Sequence, residues 1–161
     1  MDVMVQHPYI KRKNKTEHFW TRPIDPDSIR SWLGLAFERV CMQHITQLKQ
    51  AIGISAVVTT EYEWRSDPKK KRTDDEKGVQ IDLLIERGDG VINICEMKWS
   101  VNEYTITKSD STNLGNKAEV FEYQTGTKAS ILLTMVTTFG VKHNIYYDSI
   151  QSELTVDQLF I

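Results

Sequence analysis

Three residues in the stretch 78–100, GVQIDLLIERGDGVINICEMKWS, carry chemistry that packing alone does not call for: Asp82, Glu96 and Lys98. Charged groups on strands rich in Ile, Val and Leu are costly to bury unless they are paired or bind a metal. Two facing carboxylates suit a hard divalent cation with oxygen ligands, such as Mg2+. A lysine beside them orients water or stabilises charge developing on a phosphate. A plain ion pair of Lys98 with Asp82 or Glu96 on a solvated sheet face accounts for the same spacing without catalysis.

Whether these groups meet depends on a hairpin. Val79, Ile81, Leu83 and Ile85 alternate with Gln80, Asp82, Leu84 and Glu86, the period of a strand. Val91 to Trp99 forms the second strand. A three-residue loop, Gly88-Asp89-Gly90, with its last glycine left-handed, sets Arg87 opposite Val91 and Asp82 opposite Glu96. Gln80 then faces Lys98, and the four polar residues share one sheet face. A two-residue loop would pair Asp82 with Cys95 and turn Glu96 to the other face.

The elements that must hold this hairpin come from a chain of 161 residues, 40% hydrophobic and 26% charged, the size and composition of one soluble domain. The formal net charge of -2 excludes a global basic field for nucleic acid, so such binding would rest on local patches. No apolar run is long enough to span a bilayer, and the N-terminus lacks the apolar core of a signal peptide. Two cysteines, Cys41 and Cys95, fit small buried residues in a reducing, cytoplasmic setting. There is no internal repeat.

Residues 1–24 read as a basic N-terminal arm carrying Lys11-Arg12-Lys13-Asn14-Lys15, with the domain proper at 25–161. Asp25-Pro26 starts a long helix that runs to about Ala51, where Gly53 stops it. Ile29, Leu33, Phe37, Val40, Leu48 and Ile52 form its core stripe. Glu38 lies off that stripe among Gly34, Leu35, Cys41, Met42 and Ile45, so it points at a site or is paired with a nearby base; Gly34 would let a neighbour approach. Cys41 and His44 lack the second ligand pair that structural zinc requires.

A strand is expected at Ala56–Trp64, then a charged loop whose Lys69-Lys70-Lys71-Arg72 run is placed to grip a phosphate backbone. Tyr104–Thr107 reads as a short strand or extended loop, and Lys108 after it is placed to face a polyanion. A second helix is expected over about Thr112–Thr125, capped from within Ser109–Thr112 and ended by Gly126. The apolar run Ser130–Thr138 reads as a strand buried on both faces, central or parallel. His143 lies in the following loop, where a histidine is more often incidental than catalytic. A last strand over Ile150–Leu154 and a turn capped by Thr155 complete the chain. The expected class is α/β, a mixed central sheet flanked by helices.

This arrangement resembles the PD-(D/E)XK nuclease superfamily, whose restriction-endonuclease-like core runs αβββαβ. The family pattern is a Glu on the first helix, an Asp on the second core strand and (D/E)-x-K on the third. Here those positions hold Glu38 in GLAFERVC, Asp82 in VQIDLLIE and Glu96-Met97-Lys98. The helix, QIDLLIER, INICEMKWS and SILLTMVTTFGVKHN look more closely like the C-terminal nuclease-like domain of bacterial AAA-type ATPases. No Walker A pattern is present, since GTKAS and GNKAE lack the preceding glycine, so ATP binding is not carried over.

The resemblance implies metal-dependent cleavage of DNA phosphodiesters, by a module of, or partner to, such an ATPase. Glu38, Asp82, Glu96 and Lys98 would be catalytic. Asp82, Glu96 and the Met97 carbonyl would ligate Mg2+ or Mn2+; Lys98 would position the attacking water; Glu38 would support a second metal or orient water. Gln80 would assist, with Gln124 a weaker auxiliary, and Lys69, Lys70, Lys71, Arg72 and Lys108 would hold DNA. Many nucleases of this fold cut duplexes as dimers, which leaves a homo-oligomer open. The alternative is an inactive nuclease-fold module that binds DNA or protein.

Overall fold

The molecule is built around the predicted hairpin. In the computed structural model, which describes residues 26–160, β2 (Gln80–Arg87) and β3 (Val91–Lys98) are joined by Gly88-Asp89-Gly90, with Gly90 left-handed at φ 83°. Leu83 opposes Cys95 and Glu86 opposes Ile92, the register expected from a three-residue loop. The basic arm at 1–24 and the Asp25 cap lie outside the described residues.

β1 (Thr59–Arg65) extends the hairpin on one side. On the other, β4 (Ser130–Thr137) runs parallel to β3, and β5 (Ser152–Thr155) runs parallel to β4. The result is a five-stranded mixed sheet in the order β1-β2-β3-β4-β5. The fold class is α/β, with the apolar run of β4 inside the sheet as expected.

Helices cover both faces. α1 (Pro26–Gln43) and α2 (Ile45–Ala51) bring Phe37, Cys41 and Leu48 onto Leu83, Ile85, Cys95 and Met97. α3 (Lys108–Thr125) brings Val120 and Phe121 onto Val79, Ile81, Leu84, Ile92 and Ile94. Each fully buried aliphatic side chain here contributes about 1.5–3 kcal/mol.

Four expectations are corrected. The first helix is not continuous to Ala51: it breaks at His44, whose Nδ1–H donates to the Val40 carbonyl at 2.7 Å while its backbone N–H turns to Cys41. The side chain thus takes the acceptor that a continuous helix would give to the backbone. The core stripe also begins later than expected. Ile29 and Trp32 are exposed, and Phe37 is the first buried member. A Cβ at Gly34 would meet nothing within 4 Å, so the glycine is not required by a close approach.

The fourth correction is the start of α3, four residues before Thr112. Thr107 caps it through a reciprocal box with Asp110. Thr107 Oγ1 accepts from the Asp110 N–H at 3.2 Å, and Asp110 Oδ2 accepts from the Thr107 N–H at 2.9 Å. Lys108 therefore stands in the exposed first turn of a helix.

Thr107→Ala should remove one side of that box and cost about 1 kcal/mol, lowering the thermal midpoint by about 2–4 °C. A midpoint equal to wild type would remove the box from the account of why α3 starts where it does.

Candidate active site

The predicted register holds, but the predicted sharing of one face does not. β1 pairs Trp64 with Ile81 yet Tyr62 with Leu84, so β2 carries one extra residue between Ile81 and Leu84. A bulge of this kind resets the alternation. Val79 and Ile81 therefore pack with Leu84 beneath α3, while Leu83 and Ile85 pack beneath α1.

Asp82 lies in the bulge and opens onto the α1 side. It lines a groove of about 660 Å³ with Leu35, Glu38, Arg39, Arg65 and Gln80. Gln80 Nε2 donates to Asp82 Oδ1 at 2.7 Å, so Gln80 holds Asp82 rather than facing Lys98. Glu96 lies on the other side, toward α3. It is buried, and each of its oxygens takes one ammonium: Lys98 Nζ at 2.7 Å from Oε1 and Lys117 Nζ at 2.6 Å from Oε2. The backbone pairing of β2 with β3 ends at Leu83–Cys95, which places Asp82 and Glu96 just beyond the last pair.

Glu38 joins the two sides electrically. Burial raises its pKa above the usual 4.5, and Asp82 and Glu96 raise it further against the opposing pull of Lys98 and Lys117. For Glu96 burial also acts upward, but Lys98 and Lys117 outweigh it and keep the carboxylate ionised. Burial pulls Lys98 down, yet Glu96, with Tyr104 and Asp110, holds its ammonium above the ordinary 10.5. A lysine held in its charged form stabilises negative charge and does not act as a base near neutral pH.

Asp110 stays ionised because its hydrogen bonds to Thr107 and Tyr104 outweigh burial. The Tyr104 phenol is pushed up to about 12 by burial and by Asp110. Tyr104 and Asp110 wall a small cavity with Glu96, Lys98 and Asn113, so the cap of α3 is also a wall of the site.

The donor chemistry suits a hard divalent cation: Asp82 and Glu38 offer carboxylate oxygens to an open groove. Among the described residues, no three His, Cys, Asp or Glu side chains stand close enough together to hold an ion. Glu96 is not among the residues lining that groove, and both its oxygens are held by lysines. Met97 packs its side chain with Phe37 and Cys41 and pairs its backbone with Val136.

The expected nucleic-acid contacts divide. Lys69, Lys70 and Lys71 are exposed on the loop. Arg72 is tied back, to Glu76 at 2.5 Å and to Glu119 of α3 at 3.0 Å. Gln124 clasps the same loop, accepting from the Asp67 N–H at 2.8 Å and donating to the Asp67 and Lys70 carbonyls, and so serves the loop rather than the carboxylates. His143 stacks on Tyr147, with ring centroids 3.8 Å apart. Cys41 is fully buried and its thiol is pushed up to about 12 by burial.

Sequence reading missed Lys117, Arg39 and Arg65. Lys117 is almost buried on a helix whose start was placed too late, and the arginines sit on the groove side of α1 and β1. The flank of a carboxylate on a helix, read at i+1 as well as at i+3 and i+4, would have drawn attention to Arg39.

No family model matches the chain, and no curated protein is significantly similar to it.

Because Glu38 binds its proton more tightly folded than unfolded, it favours folding below its unfolded value. That advantage is lost as pH rises through the raised folded value. Glu38→Gln should therefore melt above wild type at pH 7, by a few degrees on the order expected for a small change in stability. The gap should shrink as pH falls toward 4.5. A gap independent of pH would show that Glu38 carries no electrostatic penalty in the fold.

Proposed function

We propose that the chain is a metal-dependent nuclease of the PD-(D/E)XK type that hydrolyses phosphodiester bonds in DNA. The observation that carries this reading is the groove in which Glu38 of α1 stands with Asp82 and Gln80 of β2, Gln80 hydrogen-bonded to Asp82. Groups from α1, β2 and β3 act on one another around the point where the hairpin opens. In this reading α1 and β1–β4 with α3 are the αβββαβ core.

Asp82, with Glu38 adjoining, would hold Mg2+ or Mn2+ in the groove, while Glu96 lies toward α3 with its two oxygens on Lys98 and Lys117. The ion, when bound, supplies Lewis-acid charge and a more acidic water. The chain's own residues do the rest. Lys98 keeps a positive charge beside Glu96 and stabilises the negative charge that develops on the phosphate. Glu38, whose proton affinity is raised, orients the attacking water and takes up its proton. Gln80 fixes the Asp82 carboxylate. Arg39 and Arg65 flank the groove and suit phosphate oxygens, with Lys69, Lys70, Lys71 and Lys108 as outer contacts. The resemblance to modules at the end of AAA-type ATPases makes a motor domain the natural partner in this reading.

A second reading is favoured by the two lysines on Glu96. A carboxylate already neutralised is what a binding module that keeps the fold without the chemistry would contain.

Calorimetric titration with Mn2+, alongside cleavage assays on linear, nicked and single-stranded DNA, separates the two. Asp82→Ala should abolish Mn2+ binding and cleavage while the protein keeps its melting point. Lys98→Met should lower cleavage by about 10²–10³ and leave the metal bound. Normal cleavage by Asp82→Ala would sink the catalytic assignment, and metal binding without cleavage in wild type would favour the binding module.

A further inference from the structure

The loop between β1 and β2 is basic at its tip and fastened to α3 at two points. It leaves Arg65 and returns at Gln80, which pair across the strands and both line the groove. Near its start, Gln124 Oε1 accepts from the Asp67 N–H at 2.8 Å, and Gln124 Nε2 donates to the carbonyls of Asp67 and Lys70, each at 3.2 Å. Further along, Arg72 spreads its guanidinium over three partners: Glu76 of the loop at 2.5 Å, Glu119 of α3 at 3.0 Å and Asn116 of α3 at 3.2 Å. Ser66 and Val79 close the neck. The Val79 N–H donates to Ser66 Oγ at 2.8 Å, and the Ser66 N–H donates to the Val79 carbonyl at 2.9 Å.

The lysines between the two fastenings are left over. Lys69, Lys70 and Lys71 are exposed, and their side chains form no ion pair among the described residues. The acids of the loop are engaged elsewhere or lie beyond them. Asp67 accepts from the Lys69 N–H at 2.8 Å, Glu76 is held by Arg72, and Asp74 and Asp75 follow that arginine, with Lys77 after them. Lysines on a free loop lose backbone and side-chain freedom when they settle on a polyanion, and that loss weakens binding. Here the backbone beneath them is held in advance, because Gln124 grips the carbonyl of Lys70 itself. Arg72, committed to three partners, is a pin rather than a phosphate contact.

We propose that Gln124 and Arg72 are positioning residues that strap the loop to α3, so that Lys69, Lys70 and Lys71 stand as a fixed edge for the phosphate backbone of DNA. The loop springs from two groove residues, so a strand lying in the groove at Arg65 meets that edge as it leaves. The choice of DNA rests on the nuclease reading. The strap and its effect on binding go beyond that reading, and Arg72 moves from contact to anchor.

Limited trypsin digestion of the native protein, with the fragments weighed by mass spectrometry, reads the strap without any DNA. Gln124→Met keeps the length of the side chain and removes its hydrogen bonds, so cleavage after Lys69, Lys70 and Lys71 should speed up about tenfold. Fluorescence anisotropy of a short labelled duplex, in EDTA so that none is cut, reads the edge. Gln124→Met and Arg72→Gln should each bind about tenfold more weakly, the effect of having to order the loop. Both should keep the salt dependence of wild type, since no phosphate contact is removed. Lys70→Ala should instead flatten that dependence by about one unit of slope. Faster loop cleavage with unchanged DNA binding would make Gln124 and Arg72 purely structural and overturn the proposal. So would loop cleavage no faster than in wild type. A slope about one unit flatter in Arg72→Gln would return that arginine to the phosphates and overturn its part. If wild type cuts DNA with Mn2+, each of these failures leaves the nuclease reading intact; wild type that neither binds nor cuts overturns both. Arg72→Gln strips Glu76, whose side chain is 5% exposed, of its cation, so if that variant does not fold, Gln124→Met decides alone.

Discussion

The site depends on one buried anion. Glu96 sits inside the sheet with 10% of its side chain exposed, between two ammonium groups at 2.6 and 2.7 Å. Taking a carboxylate out of water costs several kcal/mol, and only close, well-directed cations offset that. Several features follow. Lys98 must stay charged, α3 must dock with Lys117 over β3, and the start of α3 must be fixed, which the Thr107–Asp110 box does. An ion cluster of this kind is rarely a better stabiliser than apolar packing of the same volume. Its presence beside the aliphatic residues of β3 is therefore not explained by stability alone.

The extra residue in β2 is the second constraint. Strict alternation would have put Asp82 under α3 with Leu84, walled off from the groove that Glu38 lines. With the bulge, Leu83 and Ile85 stay in the core beneath α1 while Asp82 opens onto the groove on that same side. The carboxylates thus approach from the two faces of the sheet instead of lining up on one. Glu38, on the helix above, is the group that feels both.

Much of this was legible in the sequence, and the misses have definite causes. The hairpin register followed from the glycines at 88 and 90, because turn chemistry is local. The sheet class followed from the apolar run of β4, and Thr155 as the last cap from its position before a short polar turn. The bulge was not legible, since its cause is pairing with β1 and period-2 reading has no partner strand in it. The break at His44 was hidden because a side chain competing for a carbonyl leaves the apolar period intact. The start of α3 was missed because Thr107-Lys108-Ser109-Asp110 uses Asp where the usual box has Glu or Gln. Lys117 escaped because a lysine on a helix is read as solvated, and only β3 beneath it supplies the partner that keeps it buried.

The same packing that isolates the ion cluster isolates the two thiols. Cys41 of α1 and Cys95 of β3 lie in one core layer, both almost wholly buried, and burial pushes each up to about 12. Only the thiolate reacts at a useful rate, so an alkylating reagent meets two inert sulfurs while α1 lies on the sheet. Labelling of the native protein then proceeds only through openings that lift the helix away. These cysteines are a clock for the separation of α1 from β3, the movement that would also carry Glu38 away from Asp82.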